Sequence, residues 1–428
     1  MPPEGPEPPP LCPNNNNINC NNNVTIITND NNNNNNVTYL SPMNGGNDIN
    51  SYYENSSFQR IAANFEWLKI KDEIIEKFNI ENINILASNN YNKTIIRIAD
   101  FGCATGPNTF LSVQNIIESI KQKYKTLNIP NPTHHHDHEI TTRNWLEFQV
   151  FFNDLVKNDF NTLFSSLPKD HTKDYFAAAV PGSFRGQLFP EASLHFAYTS
   201  HSLHWLSELP EELGDEASPA WNKGRIHYTG EGTPSGVVEA YKSQFGKEME
   251  MFLEARAEEL VVGGMLFMIF CGSPKDMPLS STANATTFDF MASILKDLVQ
   301  EGMIEESEVD SFNMPLYNSA SPEDMKDLVE RNGCFTIERL ELSKPSSWLD
   351  NKEMEQVEEM IQVWMKHVRA VMEGNFIQHF NNNKALLLVD QLFTRLTKMH
   401  LDHSHLLQLW CNQKVQLFVV LKRIQYQS

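Results

Sequence analysis

Positive charge is in short supply in this sequence. Its 34 lysines and arginines face 54 aspartates and glutamates, for a formal net charge of −20. So acidic a chain repels phosphate backbones and anionic lipid, and neither nucleic acid nor membrane is expected as a partner. Long apolar runs are missing as well. The longest, Leu260 to Cys271, is broken by Gly263-Gly264 and falls well short of the roughly 20 residues that span a bilayer. The N-terminus has neither a basic start nor an apolar core, so no signal peptide is read there. Cysteine is sparse: Cys12, Cys20, Cys103, Cys271, Cys334 and Cys411 are scattered, with no C-x-x-C pair. That pattern suits neither a zinc site nor a disulfide framework and points to a reducing, cytoplasmic location.

What is present divides unevenly. Met1 to Pro10 is mostly proline and Asn14 to Asn36 mostly asparagine. Such a segment buries too little apolar surface to offset its ordering entropy, so residues 1–40 are expected to form a disordered extension. The full length of 428 residues, 40% of them hydrophobic, allows one large domain or two.

The chain is organised around Ile95 to Ile120. Ile95 to Phe101 is a short apolar run ending in an acid, Asp100, and reads as a buried parallel strand. Phe110, Val113, Ile116, Ile117 and Ile120 recur at helical spacing. Between them lies Gly102-Cys103-Ala104-Thr105-Gly106-Pro107, where glycine permits a tight turn and proline suits the first helical position. The loop is neither G-x-G-x-x-G nor G-x-x-x-x-G-K-[ST], which weakens a dinucleotide reading and removes the P-loop cradle. An acidic strand end before a looser turn fits a ligand that carries a cation and a ribose, such as S-adenosylmethionine, with Asp100 near its charged methionine end. An ordinary turn without ligand has the same composition, and this stretch alone leaves both open.

Further strands are expected at Leu146 to Phe152, Tyr175 to Val180, Leu194 to Ser200 and Met265 to Phe270. A helix from Val237 to Leu260 precedes the last of these. Strands alternating with helices indicate a parallel α/β sheet. Asp154, just past the second strand, is placed to hold ribose hydroxyls or merely to cap a strand end. The cluster His134-His135-His136-Asp137-His138 lacks ligand spacing and reads as a solvated loop. Beyond residue 273 the pattern turns helical: Phe288 to Gln300, then a helix opened by the capping box Ser321 to Asp324 and closed by Gly333, then a stripe from Met354 to Val371. Phe335 to Leu342 and Val415 to Leu421 are strand-like and expected to pair antiparallel at the sheet edge.

From about Met43 to Arg423 the sequence resembles the plant carboxyl methyltransferases of the SABATH group. The likeness rests on motifs in order: Met43 to Gly46 with Ser51 to Gln59, ADFGCATGPN at 99–108, FFNDL at 151–155, VPGSFRGQLFP at 180–190, HSLHWLSELP at 201–210 and FNMPLYN at 312–318. SPAWNKGRIHY at 218–228 and FLEARAEELVVGGM at 252–265 look like the loganate methyltransferase side of the group. The resemblance implies a class I methyltransferase-type, doubly wound, mostly parallel α/β sheet with an antiparallel edge. A helical cap would cover the active site, drawn mainly from about 207–236 and 273–385. It implies methyl transfer from S-adenosylmethionine to the carboxylate of a small-molecule acid, by a homodimer of plant secondary metabolism. N-methylation of a xanthine-like heterocycle and a catalytically silent binding homologue are the alternatives; the intact motifs argue against silence.

Roles follow from the same resemblance. Tyr52, Cys103, Asn108, Asp154, Leu155, Ser183 and Phe184 match positions that contact the cofactor. Gln59, His204 and Trp205 match positions that meet the substrate carboxylate, with His201 beside them. Asn222, Asp310, Phe312 and Asn313 match positions assigned to Mg²⁺ in some relatives, Phe312 through its backbone carbonyl. No acid or base is expected, because a carboxylic acid with a pKa near 4 is already ionised at neutral pH. Two departures, Asn44 where salicylate and benzoate enzymes often carry lysine and His201 where tyrosine is common, argue against simple salicylate specificity.

Overall fold

In the computed structural model, the apolar runs become strands β1 (Thr94–Phe101), β2 (Leu146–Asp154), β3 (Phe176–Pro181), β4 (Leu194–Ser200), β5 (Leu260–Cys271), β6 (Phe335–Ser343) and β7 (Gln416–Arg423). The structure describes residues 40–79, 94–126, 146–168, 174–281, 284–344, 354–380, 385–406 and 415–425. The Pro- and Asn-rich extension through residue 39, the cluster His134 to His138, and Cys12, Cys20 and Cys411 lie outside them. One sheet forms in the order β3-β2-β1-β4-β5-β7-β6. β1 to β5 run parallel, and β7 pairs antiparallel with both β5 and β6. The expected antiparallel edge is therefore present, with β7 inserted between β5 and β6.

The helices are α1 (Tyr52–Asn55), α2 (Ser57–Lys77), α3 (Pro107–Thr126), α4 (Phe160–Ser165), α5 (Ser235–Glu259), α6 (Ala285–Gln300), α7 (Glu306–Asp310), α8 (Pro322–Asn332), α9 (Met354–His379) and α10 (Ala385–Asp402). Pro107 opens α3 and Gly333 closes α8 with φ +67°. The capping box at α8 forms as expected: Ser321 Oγ accepts from the Asp324 N–H at 3.1 Å and Asp324 Oδ2 accepts from the Ser321 N–H at 3.2 Å. β5 starts five residues earlier than expected, at Leu260 rather than Met265. Gly263, at φ +85°, supplies an irregularity that shifts the register against β4, so the glycines bend the strand instead of ending it. α10 carries Leu388, Val389, Leu392, Phe393 and Leu396 on its buried side, a helical spacing the expectations above do not include.

Three apolar clusters follow from these periods. Ile70, Ile74, Val113 and Ile117 of α2 and α3 pack on Ile96, Ile98 and Phe148 at one face of the sheet. Tyr241, Phe245 and Phe252 of α5 pack on Ala99, Phe101 and Met268 at the other, with α8 beside them. The third cluster is helical, from α6, α9 and α10, and takes in Trp205 just beyond the end of β4. α8 thus belongs to the sheet layer, although its residues fall within the stretch expected to form the cap.

The chain runs outward from β1 to β3, then returns to β4 on the other side of β1. Ligands of doubly wound sheets bind at such a reversal, beyond the carboxyl ends of the strands. There Gly102 adopts φ +82°, and a Cβ on it would lie 2.0 Å from Ser202 Oγ in the loop after β4. Gly102→Ala should cost about 1–2 kcal/mol for the left-handed backbone alone, with the collision added. Thermal unfolding of Gly102→Ala with and without Ser202→Gly reads the two parts; relief of the collision by the second change is the expected outcome.

Candidate active site

The first crevice is built from strand ends. Asn153 accepts the N–H groups of Gly102 and Cys103 through its carbonyl at 2.9 and 3.0 Å, which folds the glycine loop over β2. Ala104, at φ +51°, donates its N–H to Asp154 Oδ2 at 2.7 Å, and Leu155 donates to Oδ1 at 2.8 Å. A carboxylate has about four acceptor positions, so Asp154 keeps capacity for hydroxyl donors. The crevice is lined by Met43, Tyr52, Asp154, Leu155, Phe184 and His201, among others. Of the remaining residues expected at the cofactor, Asp100 and Cys103 are buried behind this wall, and Ser183 is exposed in the loop after β3. Thr109 donates to Asp100 from the first turn of α3. Asn108 Nδ2 donates to the Ser56 carbonyl at 2.9 Å, tying α3 to the junction of α1 and α2; its Oδ1 is buried without a partner among the described residues.

Burial dominates the electrostatics here. It pushes the Asp100 carboxyl up to about 7, against the Thr109 hydrogen bond and with help from the charge of Asp154. Burial likewise raises Asp154 to about 6, opposed by the N–H groups of Ala104 and Leu155. Tyr52 and Cys103 are raised by burial and then by the same two acids. A cationic ligand would favour both carboxylates. Together with the glycine turn and the unpaired Asn108 oxygen, this fits the expected sulfonium cofactor.

The second cavity adjoins the first. It encloses about 720 Å³, its open mouth included, a size that suits a small organic ligand. Gln59, His204, Cys271, Thr287, Trp364 and His367 are among its walls. Met43, Tyr52, His201 and Trp205 line both cavities. All four residues expected to position substrate therefore line this cavity, and Tyr52 and His201 line both. His201 sits at φ +57°, a conformation uncommon for a side chain of this size, and its N–H donates to the Ile269 carbonyl of β5 at 2.7 Å. Trp205 is 5% exposed; among the described residues its indole N–H has no hydrogen-bond partner. Trp364, Val368 and Val371, on a stripe that reads as core, form cavity wall.

Neighbouring segments pin the loop 201–206. Tyr317 N–H donates to the His204 carbonyl at 2.7 Å, Leu206 N–H to the Pro315 carbonyl at 2.9 Å, and Trp205 bridges to Leu316. Arg185 Nη2 donates to the carbonyls of Leu203 and Trp205 at 3.2 and 2.6 Å, while its Nε meets Glu248 Oε2 at 2.8 Å. Arg185 and Glu248 hold this loop in place, and the sequence reading leaves both unnamed. The available signal was an acid, Glu248, three residues after Phe245 on the buried face of α5. The N-terminal segment closes the other side: Asn44 Nδ2 donates to Glu373 Oε2 of α9 at 2.6 Å, and Gly46 N–H to Asp159 Oδ2 at 2.9 Å.

The residues named for Mg²⁺ also lie together. Asn222 Nδ2 donates to Asn313 Oδ1 at 2.7 Å, Gly224 N–H donates to Asp310 Oδ1 at 2.9 Å, and Lys223 Nζ stands 3.9 Å from Asp310 Oδ2. The Phe312 ring packs on Phe376. Oxygen donors suit Mg²⁺ by type, but the one carboxylate holds a backbone N–H and faces a lysine, and the Asn313 oxygen is engaged. Asn222 Oδ1, by contrast, is buried without a partner among the described residues. Among the described residues no group of three His, Cys, Asp or Glu could hold a metal ion. Among them, too, no helix is long and apolar enough to cross a membrane.

Comparison with known proteins agrees with this geometry. The family described as SAM dependent carboxyl methyltransferase matches residues 39–424. Loganic acid O-methyltransferase of Catharanthus roseus is 42% identical over 384 residues, 89% of this chain and 94% of the relative. Farnesoic acid carboxyl-O-methyltransferase of Arabidopsis thaliana is 38% identical over 70% of this chain and 78% of its own length. A 3,7-dimethylxanthine N-methyltransferase of Camellia sinensis is 34% identical over 83% and 89%. A solved loganic acid methyltransferase with SAH is 40% identical, covers 90% of this chain and 99% of that one, and superposes with a TM-score of 0.78.

The two buried acids give a pH signature. Both pKa values lie above the unfolded value near 3.9, so between about pH 4 and 7 the folded state binds more protons than the unfolded chain. Stability contributed by these groups is therefore lost as pH rises. Without cofactor, Asp100→Asn should flatten the fall in Tm between about pH 4 and 7. An unchanged slope would mean Asp100 is ionised throughout.

Proposed function

The chain belongs to the S-adenosylmethionine-dependent carboxyl methyltransferases, and on that premise we propose that its acid is a mid-sized, non-planar molecule rather than salicylate. The enzyme transfers a methyl group from S-adenosylmethionine to the carboxylate of a small-molecule acid, giving a methyl ester. The observation that carries the proposal is the pair of adjoining cavities that share Met43, Tyr52, His201 and Trp205. One wall common to cofactor and substrate lets their reacting atoms meet.

When bound, S-adenosylmethionine supplies an electrophilic methyl on a positively charged sulfur. In this reading Asp154 holds ribose hydroxyls, Tyr52, Leu155 and Phe184 wall the cofactor, and Cys103, Asn108 and Ser183 shape the loops around it. Asp100 acts from behind, as a buried charge near the methionine end. The substrate carboxylate arrives ionised, so no residue removes a proton from it. Gln59 and Trp205 donate N–H groups to one carboxylate oxygen and leave the other free to attack, with His201 and His204 framing the pocket. Orientation of this kind supplies up to about 7–11 kcal/mol in favourable cases. The cap from α6, α9 and α10 excludes water and strengthens those contacts.

The substrate class is supported by two features. His201 leaves more room and polarity than a phenol stacked on a benzene ring would. Asn284 and Thr287 add hydrogen-bonding groups to a wall otherwise rich in Met43, Val368, Val371 and Met372. An iridoid- or terpenoid-like acid bearing hydroxyls suits that mixture, with loganic acid the first candidate. Mg²⁺ has no part in the chemistry, and EDTA should leave kcat unchanged. The protein works as a cytoplasmic homodimer in this reading.

Turnover of labelled cofactor with loganic, farnesoic, jasmonic and salicylic acids and with a dimethylxanthine tests the proposal. A non-planar acid is expected to give the highest kcat/KM; salicylate or the xanthine in that place would overturn it. Trp205→Phe should lower kcat/KM for the preferred acid about tenfold, the size of one hydrogen bond to a charged group, while SAH affinity by calorimetry stays within about twofold. His201→Tyr should move preference towards flat aromatic acids.

A further inference from the structure

Gln59 does not face its cavity as an independent side chain. Its Nε2 lies 2.8 Å from Nε2 of His367, whose Nδ1 lies 2.9 Å from the Asn55 carbonyl. A carbonyl only accepts, so Nδ1 of His367 carries the proton. With the ring neutral, Nε2 is the bare nitrogen and only accepts. Gln59 must therefore turn its NH₂ towards His367, because its Oε1 in that place would set two lone pairs against each other. The rotation of the amide is fixed by chemistry and not by packing alone.

The source of this order is a break in the helix. α1 ends at Asn55 and α2 begins at Ser57. At the break the Asn55 carbonyl meets α9, where His367 lies. Asn55 itself is anchored, its Nδ2 donating to the carbonyls of Ile49 and Ser51 at 2.8 Å each. The His367 ring is wedged between Phe58 and Trp364, with ring centroids 5.6 and 5.3 Å away, and is 5% exposed. Its position is thus held from three sides. One N–H of the Gln59 amide stays unused by His367, and Gln59 Oε1 is buried without a partner among the described residues.

We propose that His367 is a positioning residue for methyl transfer: it locks the Gln59 amide so that its second N–H meets the substrate carboxylate. The inference rests on the placement of Gln59 at the acid given above. It assigns a role to a cap residue outside the motifs and links the cap to the acid, with the His367 ring centroid also 6.5 Å from that of Tyr52. Loss of His367 frees the amide to rotate, and a rotated amide presents an oxygen to an anion, which repels it.

A double-mutant cycle on the SAH-loaded enzyme tests this, using the acid with the highest kcat/KM in the panel above. Calorimetry reads its Kd for the parent, Gln59→Met, His367→Phe and the double variant. His367→Phe is expected to weaken acid binding about tenfold, as for one lost hydrogen bond, and to raise KM more than it lowers kcat. SAH affinity should stay within about twofold, and the added loss on the Gln59→Met background should be under about twofold. If His367→Phe does not fold, His367→Gln, which displaces the acceptor, runs the same cycle and is read the same way. An additive loss, or none, overturns the role of His367 while leaving Gln59 in place. Unchanged acid affinity in Gln59→Met alone overturns the placement of Gln59 and this inference with it.

Discussion

The buried pairing of Arg185 with Glu248 is the contact on which the loop after β4 depends. Both side chains are almost fully enclosed, at 5% and 3% exposure. Removing one partner of such a pair leaves a charge uncompensated in low dielectric, at a cost of about 3–5 kcal/mol. Here the guanidinium also holds the carbonyls of Leu203 and Trp205, and the carboxylate accepts the Ser207 N–H at 2.9 Å. One ion pair thus fixes the loop that carries His201, His204 and Trp205. A second pair, Arg256 with Glu259, acts beside it: Arg256 donates to the carbonyls of Phe184 and Gly186 and lies over the Phe101 ring. The pairs work as clamps on loops that would otherwise leave backbone groups buried and unpaired.

The clamped loops matter because the sheet provides only a place. Parallel strands end at one edge, and the reversal beside β1 opens a gap there. Hydrogen bonds between loops turn the gap into a crevice: Asn153 holds the glycine loop, Asp154 joins it to β2, and Ser202 Oγ donates to the Gly102 carbonyl at 3.2 Å. The helical cap then closes the second cavity with Trp364, Val368 and Val371. Methyl transfer to an ionised acid asks for alignment and dryness more than for acid–base chemistry, and these are what clamps and a cap provide.

Much of this was legible in residues. The strand from Leu194 to Ser200 is buried from Leu194 through Thr199, and its limits were read as they stand. The capping box at Ser321 and the glycine stop at Gly333 depend on neighbours four or fewer residues away. Other features were not legible. The Gly263-Gly264 pair reads as an interruption, because nothing local says that a strand continues through an irregular register. The stripe from Met354 to Val371 reads as core, because period alone does not distinguish burial against protein from burial against a ligand.

By itself the sequence determined the order of the strands, the glycine turn after β1 and the motifs of the family. These rest on periodicity and on backbone conformations available to single residues, which are local properties. Only the tertiary structure decided that Arg185 answers Glu248, that Asp100 lies behind the crevice wall, and that His367 of α9 meets Gln59 of α2. Each of these joins residues distant along the chain, and each acquires its energy only when folding removes water from between them. A lone Glu248 or His367 has no such partner until the chain has closed.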